Sequence, residues 1–311
     1  MAEIIITEFI DQSAVDDLSA DFDVVYDPQL VDQPERLLSL VGEAPALIVR
    51  NRTQVRGALL EAATALKVVG RLGVGLDNID MSACAARGIT VCPATGANNV
   101  SVAEYVVTTM TPLLRRPAYS VTEAVLAGAW PRTEAIGREA SGKVLGLVGF
   151  GAIGRDVARR AAPLGVTVTA HDPLLQADDP AWAMAESKSL DTLIAESDVI
   201  SLHVPLTDET HHLLDAAAIA RMKPGAIVIN AARGGVVDEV ALAEALKEGR
   251  LGGGALDVFE TEPVTAESGT HLANVPNLIL TPHIAGLTDE ANLRTSDMTA
   301  ANVRRVLEET R

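Results

Sequence analysis

The chain has 311 residues and a formal net charge of −17, and its composition is 48% hydrophobic and 22% charged. This length suffices for two domains, and the acidic excess argues against nucleic acid or an anionic membrane as a partner. Cys84 and Cys92 form no C-x-x-C pair, no apolar stretch reaches the roughly 18 residues of a membrane helix, and the N-terminus lacks a signal-peptide pattern. We therefore expect a cytoplasmic globular protein with reduced thiols.

The first ninety residues alternate short apolar runs with an amphipathic segment. The runs Glu3–Ile6, Ala46–Val49, Lys67–Val69 and Ile89–Val91 predict strands. Between them, Val55–Leu66 places apolar residues on one helical face. The pattern predicts a small α/β domain, in which ligands bind beyond the carboxyl ends of parallel strands.

A long helix is expected next. Ser101 and Glu104 have the spacing of a capping box, and apolar residues from Val102 to Leu113 follow at helical spacing. We expect this helix to be buried and to lead into the second domain.

The segment Lys143–Asp172 contains every part of a nucleotide-binding βαβ unit in order. Val144–Val148 predicts a buried strand, a helical pattern extends through Pro163, and Val166–Ala170 predicts the second strand.

Glycines at the end of that first strand have the spacing G-x-G-x-x-G. Gly149 allows a tight turn, Gly151 lets the backbone approach a pyrophosphate, and Gly154 allows helix and strand to pack closely. Asp172 can accept hydrogen bonds from an adenosine ribose, and no nearby arginine could balance a 2′-phosphate. The unit therefore predicts a dinucleotide site that takes NAD in preference to NADP.

Helices and strands continue to alternate after this unit. The predicted segments are helix Leu190–Ala195, strand Val199–His203, helix Asp215–Arg221, strand Ala226–Asn230, helix Asp238–Lys247, strand Gly254–Val258 and strand Leu278–Leu280. A final helix, Asp289–Glu308, follows the nucleotide domain. We expect it to pack on the first domain, which would then be discontinuous in sequence.

Three chemically versatile side chains follow strands in the second half: Arg233, Glu262 and His283. Each has a glycine or a proline nearby, and none lies on an apolar helical face. Taken singly, each would more often be a surface residue. Their joint occurrence with the nucleotide fingerprint favours a catalytic role.

Seven motifs span nearly the whole chain: G-R-L-G-V-G-L-D-N-I-D, N-N-V-S-V-A-E, G-F-G-A-I-G, H-V-P-L-T, N-A-A-R-G-G-V-V-D, A-L-D-V-F-E-T-E-P and T-P-H-I-A-G. Together they resemble the D-2-hydroxyacid dehydrogenase family, most closely its 3-phosphoglycerate dehydrogenase-like members without a regulatory C-terminal domain, since the chain stops at Arg311. The resemblance implies an α/β fold: a Rossmann doubly wound parallel sheet in residues 99–284, and a smaller flavodoxin-like substrate domain formed by residues 1–98 and 285–311.

The resemblance also implies roles for the three loop residues. Arg233 would grip the substrate carboxylate, His283 would act as general acid and base, and Glu262 would orient the imidazole. The nicotinamide would carry the hydride.

Further binding positions follow from the resemblance alone. Besides the three glycines and Asp172, the cofactor would contact Ala152, Ile153, Val204, Pro205, Ala231, Asp257 and Gly286. The backbone of Val74 and Gly75 would help to hold the substrate carboxylate. For Asp257, a purely structural hydrogen bond is the alternative.

Arg50 and Arg71 match positions that carry arginine in phosphoglycerate dehydrogenases. Two arginines there favour a substrate with a second anionic group, such as 3-phosphoglycerate or sulfolactate, whereas salt bridges to neighbouring acids are the alternative. Arg52 and Gln54 depart from the S-A-T-K run common in that family, so hydroxypyruvate or glyoxylate reduction stays open.

The sequence also bears on metal ions and on protein partners. His211 and His212 are adjacent and are expected to point apart, so no metal site is predicted. The family also includes NAD-responsive corepressors, which is a second functional class. The resemblance implies a homodimer or a dimer of dimers, with Asn99–Arg116 and Pro117–Gly137 as candidate interface segments.

Overall fold

The computed structural model describes residues 2–310, with the backbone only at positions 117 and 118. Met1 and Arg311, the outer ends of the ranges predicted for the smaller domain, lie outside the described residues. The chain divides into two compact units. The small unit comprises residues up to Asn98 and from Leu287 onward, and the large unit comprises Asn99–Gly286.

The elements alternate along the chain. Within residues 2–310 the strands are β1 (Ile4–Ile6), β2 (Val24–Tyr26), β3 (Ala46–Val49), β4 (Val68–Arg71), β5 (Thr90–Pro93), β6 (Val144–Val148), β7 (Thr167–His171), β8 (Glu186–Ser187), β9 (Val199–Leu202), β10 (Ile227–Asn230), β11 (Gly253–Leu256) and β12 (Leu278–Leu280). The helices are α1 (Gln12–Ser19), α2 (Pro34–Val41), α3 (Gly57–Ala62), α4 (Met81–Ala86), α5 (Asn99–Tyr119), α6 (Thr122–Leu126), α7 (Ala152–Ala161), α8 (Leu190–Glu196), α9 (Ala216–Arg221), α10 (Glu239–Lys247) and α11 (Asp289–Glu309).

The small unit is built on a five-stranded sheet in the order β2-β1-β3-β4-β5, with every pairing parallel. This is the strand order of flavodoxin-like sheets. Alternate residues of β1 enter different cores, Ile4 and Ile6 on one face and Ile5 on the other. Both faces are covered, which explains why the strands are apolar throughout instead of alternating.

Helix α11 packs closely against this sheet. It contributes Val303 and Leu307 to one core, and it approaches β4 at Gly70, where an added Cβ would lie 2.6 Å from Val303 Cγ2. The expectation that the final helix packs on the first domain is confirmed.

The large unit contains a seven-stranded parallel sheet in the order β12-β11-β10-β9-β6-β7-β8. Because β7 lies on one side of β6 and β9 on the other, the strand order reverses at β6, as in doubly wound Rossmann sheets. Hydrophobic cores cover both faces of the sheet. The predicted fold class is confirmed.

Several acidic residues are used to start helices. The side chains of Asp11, Asp80, Asp215 and Asp238 each accept a hydrogen bond from a backbone N–H in the first turn of a helix. Such caps stabilise helices, because they pair backbone N–H groups that have no partner within the helix. Part of the acidic excess of the chain therefore has a structural purpose.

Some local predictions were wrong. The long helix begins at Asn99, so Ser101 and Glu104 lie inside its first turns and form no capping box at its start. The helix predicted for Val55–Leu66 is limited to Gly57–Ala62, because Val55 pairs with Ile79 in an isolated parallel bridge. Within residues 2–310, no helix is both long and apolar enough to cross a membrane.

Candidate active site

The glycine-rich turn after β6 has the geometry that a nucleotide requires. Gly149 has φ +91°, and a Cβ there would lie 2.5 Å from the carbonyl oxygen of His203. A Cβ on Gly154 would lie 2.5 Å from the carbonyl oxygen of Gly149. Both glycines are thus required by close backbone contacts.

Gly151 differs from these two because a Cβ there would meet nothing within 4 Å. It lies at the N-cap of α7, where Ala152 and Ile153 begin the helix and the positive end of its dipole faces outward. Open space above an exposed helix N-terminus fits a dinucleotide pyrophosphate.

Asp172 is held rigidly at the end of β7. Its Oδ2 accepts a hydrogen bond from Phe150 N at 2.8 Å, and its Oδ1 accepts one from Leu174 N at 2.9 Å. Each carboxylate oxygen can accept a further bond, and the side chain is only partly buried. The carboxylate therefore has a fixed position and further acceptor capacity for hydroxyl donors.

Val204 lies beside this turn because β9 neighbours β6. His203 N donates to Val148 O at 2.7 Å, and the Gly149 Cβ position is 3.1 Å from Val204 Cγ1. Pro205 follows and is exposed. The His203 ring contacts Ser201 Oγ at 3.0 Å, and burial lowers its pKa to about 4, which agrees with a structural role.

Arg233, Glu262 and His283 follow three neighbouring strands, β10, β11 and β12. The carboxyl ends of parallel strands meet at one edge of a sheet, so these loops are adjacent. The closest contact joins His283 Nδ1 to Glu262 Oε2 at 2.7 Å. The imidazole and the carboxylate remain 46% and 34% exposed, which leaves the pair accessible to small molecules.

Glu262 is held in its ionised form. Burial alone would raise its pKa, but hydrogen bonds from His283 and from Phe259 N, together with the charges of His283 and Arg233, outweigh this and lower the pKa below its usual value. A carboxylate at this position accepts a proton-bearing Nδ1, which leaves Nε2 as the basic nitrogen of a neutral His283.

The loop that carries Arg233 is fixed by its own neighbours. The buried side chain of Asn230 accepts from Ala232 N at 3.1 Å and donates to Arg233 O at 2.9 Å, and Arg233 Nη1 donates to Ala232 O at 2.6 Å. Gly234 allows this loop to lie against the Glu262 loop, because a Cβ there would be 1.7 Å from the carbonyl oxygen of Phe259.

Hydrogen bonds to Asp257 hold the loop that carries His283. This buried carboxylate accepts hydrogen bonds from Thr281 Oγ1 at 2.6 Å, Ile284 N at 2.8 Å and Ala285 N at 2.8 Å. His283 N donates to Asp257 O at 2.8 Å, and His283 adopts a left-handed φ of +56°. The contacts support the structural alternative for Asp257 and do not test a contact with nicotinamide.

In the small unit, Arg50 follows β3 and Arg71 ends β4, so both stand at carboxyl strand ends. Arg50 Nη2 donates to Asn292 Oδ1 at 2.7 Å, and within residues 2–310 its guanidinium forms no ion pair. Arg71 Nη1 donates to Leu72 O at 2.8 Å. Burial lowers the pKa of Arg50, whereas the charge of Glu8 acts to raise it.

Val74 and Gly75 follow Arg71 in a partly exposed segment. The neighbouring Gly73 has φ +147°, and a Cβ there would lie 2.0 Å from Arg71 Nη1. This glycine therefore leaves room for the arginine side chain to fold back over its own loop.

The expectation that His211 and His212 point apart is wrong. His212 has φ +49°, which turns the chain so that the two rings stack at 4.0 Å, and His212 Nε2 contacts Glu260 Oε1 at 2.9 Å. Across residues 2–310, no three His, Cys, Asp or Glu side chains form a group that could hold a metal ion.

Sequence reasoning did not identify several residues that shape the site. Three of them, Asn230, Gly234 and Thr281, lie in the same sequence motifs as Arg233 and His283. Their closeness in sequence to those residues could have identified them. Glu8 and Asn292 carried no such signal, since their partners lie 42 and 242 residues away in sequence.

The chain is similar in sequence to several known proteins. A model of the D-isomer specific 2-hydroxyacid dehydrogenase NAD-binding domain matches residues 107–285. The chain is 55% identical over 308 residues to the (S)-sulfolactate dehydrogenase of Chromohalobacter salexigens, with 99% of both chains covered. It is 42% identical over 262 residues to the hydroxypyruvate reductase of Thermotoga maritima, with 84% of both chains covered.

A solved structure shows the same fold. The D-lactate dehydrogenase from Aquifex aeolicus, in complex with NAD and lactic acid, matches with a TM-score of 0.84 at 28% identity. The match covers 98% of this chain and 97% of that protein.

Proposed function

Because this chain belongs to the D-isomer-specific 2-hydroxyacid dehydrogenase family of NAD-dependent oxidoreductases, we propose that it oxidises a 2-hydroxyacid with a second anionic group, of which sulfolactate is the first candidate. The prediction of NAD as cofactor is confirmed by the family. The observation that carries the reaction is the 2.7 Å contact between His283 and Glu262 at the ends of adjacent strands. The substrate class is supported by Arg50, whose guanidinium forms no ion pair within residues 2–310.

In this proposal His283, Glu262 and Arg233 have separate roles. When bound, NAD supplies the acceptor for the hydride that leaves C2 of the 2-hydroxyacid. His283 Nε2 takes the hydroxyl proton, and Glu262 stabilises the imidazolium that forms. Arg233 binds the carboxylate beside the reacting carbon through two parallel N–H donors. In the reverse direction, His283 returns the proton to the carbonyl oxygen of the 2-oxoacid.

Binding roles are proposed on the same footing. Residues 99–284 bind NAD through Gly149, Gly151, Gly154, Ala152, Ile153, Asp172, Val204, Pro205, Ala231, Asp257 and Gly286. Residues 1–98 and 285–311 bind the substrate, with the backbone of Val74 and Gly75 at its carboxylate and Arg50 and Arg71 at its second anion. Open space at Gly151 and the fixed carboxylate of Asp172 support the first assignment.

The reaction is tested with purified protein, NAD and a panel of 2-hydroxyacids, and with NADH and the matching 2-oxoacids. We expect kcat/KM to be highest for sulfolactate or 3-phosphoglycerate, lower for lactate and glycerate, and sensitive to His283→Ala by at least about 100-fold. NADH affinity should be the same in this variant. Wild-type turnover in His283→Ala would remove His283 from the mechanism.

Hydroxypyruvate reduction is a second candidate, favoured by the 42% identity to a hydroxypyruvate reductase. Higher kcat/KM for hydroxypyruvate or glyoxylate than for sulfopyruvate would make it the main activity. Tight NADH binding without turnover of any panel member, together with a macromolecular partner whose affinity depends on NADH, would instead favour a corepressor-like protein.

We also propose that the chain forms a homodimer in the cytoplasm. The segment after α5 exposes large apolar side chains, with Leu126, Trp130 and Ile136 at 78%, 75% and 71% exposure, and such surfaces are typical of interfaces. Buried, unpaired Cys84 and Cys92 agree with a reducing compartment. Light scattering should give twice the monomer mass, and Trp130→Asp should reduce it; a monomeric wild type would contradict the dimer.

A further inference from the structure

Arg50 belongs to a short loop, Arg50–Thr53, whose backbone is fixed by one buried carboxylate. Glu8 is 4% exposed, and its Oε1 accepts from Arg50 N at 2.9 Å and from Thr53 N at 3.0 Å, while its Oε2 accepts from Arg52 N at 3.1 Å. Both carboxylate oxygens of Glu8 are therefore used to hold the backbone of this loop.

The carbonyl side of the same loop is held by Asn78. Its Nδ2 donates to Arg50 O at 3.2 Å and to Thr53 O at 2.7 Å. Two buried side chains therefore satisfy both the donors and the acceptors of one turn. A loop held in this way presents its side chains from a rigid base.

The guanidinium of Arg50 is oriented by groups that carry no charge. Asn292 on α11 accepts from Nη2 at 2.7 Å, Phe9 O lies 3.4 Å from Nη1, and the Phe9 ring centre is 5.8 Å from the guanidinium carbon. Arg52 in the same loop behaves differently, because its guanidinium pairs with the carboxylate of Asp32. Within residues 2–310 the Arg50 guanidinium thus forms no ion pair, although the charge of Glu8 acts on it, whereas the Arg52 guanidinium is paired with Asp32.

From these contacts we infer that Asn292 and Glu8 are positioning residues that hold Arg50 as the receptor for the second anionic group of the substrate. The inference rests on the proposed function, and it assigns the preference for a sulfonate or phosphate to one arginine whose guanidinium is oriented by an uncharged carboxamide and whose loop is held by a buried carboxylate. A carboxamide can orient a guanidinium without competing with the ligand for its charge, whereas a carboxylate at the same position would compete.

The test compares three variants by their KM and kcat for sulfolactate and for lactate with NAD. Asn292→Ala removes the acceptor, and should raise KM for sulfolactate about tenfold, the value of one charge-assisted bond, with kcat within about twofold. Asn292→Asp keeps the contact but cancels the charge, so its KM for sulfolactate should rise further. KM for lactate should be the same in both variants as in the wild type.

Glu8→Gln tests the base of the loop. A glutamine keeps only one strong acceptor oxygen, so one or more of the three backbone N–H groups loses its partner. The Glu8→Gln variant should have a higher KM for sulfolactate than the wild type and the same KM for lactate. Leu293→Ala, a 44% exposed neighbour of Asn292 on α11, is the matched control and should behave as wild type.

The outcomes distinguish failure of the proposed substrate class from failure of the positioning role. If the wild type does not prefer two-anion substrates, the proposed substrate class fails and the receptor fails with it. If the wild type shows this preference and Arg50→Ala abolishes it, but Asn292→Asp and Glu8→Gln retain it, only the positioning role is overturned. Equal losses for sulfolactate and lactate in the Asn292 variants would also overturn it, because they would indicate general damage to the unit.

Discussion

A single methyl group at Gly234 should disable the enzyme while the fold persists. Its Cβ would lie 1.7 Å from the carbonyl oxygen of Phe259 and 2.0 Å from the carbonyl carbon, whereas an ordinary contact begins at 3.4 Å. Backbone atoms cannot rotate away, so the loop after β10 and the loop after β11 must move apart by roughly 1 Å or more. Those loops carry Arg233 and Glu262.

The expected effect follows from that displacement. A misplacement of about 1 Å in a catalytic group can lower the rate roughly 100-fold. We therefore expect Gly234→Ala to reduce kcat/KM at least about 100-fold, measured by NADH oxidation with the preferred 2-oxoacid. NADH affinity should fall by a smaller factor than kcat/KM, because the glycine turn after β6 is not displaced although Ala231 and Asp257 lie in the displaced loops.

The matched control is Gly42→Ala. Gly42 has an ordinary helical φ of −58°, and a Cβ there would meet only Ala62 O at 3.7 Å. Thermal melting and NADH titration establish that both variants are folded. Wild-type kcat/KM in a folded Gly234→Ala protein would refute the claim that close contact between these loops sets the geometry of the site.

Further predictions concern the core, the cofactor and pH. Phe150 is fully buried and stacks on Trp182 at 5.4 Å, so Phe150→Ala should lower the free energy of unfolding by about 3–5 kcal/mol in urea titrations, and a loss under about 1 kcal/mol would contradict this packing. Asp172→Ala should weaken NADH about tenfold or more in fluorescence titrations, and an unchanged Kd would remove Asp172 from the ribose site. Because the folded pKa of Glu262 lies below its usual value near 4.5, its stabilising effect is present above that pH and is lost as the pH falls through the folded value. The difference in Tm between wild type and Glu262→Gln should therefore be present at pH 7 and shrink below pH 4.5, and a difference that grows on acidification would reverse the assigned sign.

The central strands were predictable because each is a continuous apolar run buried on both faces. Val144–Val148 and Ala46–Val49 have the bounds expected from sequence. The edge strand Leu278–Leu280 was also predicted, because its three residues are apolar although none is fully buried. Edge strands such as Val24–Tyr26 and Glu186–Ser187 were not foreseen, since they are short and have no fully buried residue. Burial, which produces the sequence signal, is weakest at a sheet edge.

The proximity of Arg233, Glu262 and His283 was predictable for a topological reason. Once β10, β11 and β12 are parallel neighbours, their carboxyl ends lie along one edge, so Arg233, Glu262 and His283 must be near one another. The contacts that hold Arg50 follow no such rule. Glu8 and Asn292 reach it through side-chain bonds to distant segments, and neither residue type nor local spacing marks them.

The net charge of −17 therefore says little about the charge at any one site. Three arginines at strand ends, Arg50, Arg71 and Arg233, each donate to a backbone carbonyl oxygen, of Phe9, Leu72 and Ala232 respectively. A carbonyl orients a guanidinium without adding a formal negative charge, whereas many of the carboxylates of this chain cap helices or pair with surface arginines. Composition counts charges, but it does not show which groups surround each arginine, and those groups determine how strongly it can attract an anionic substrate.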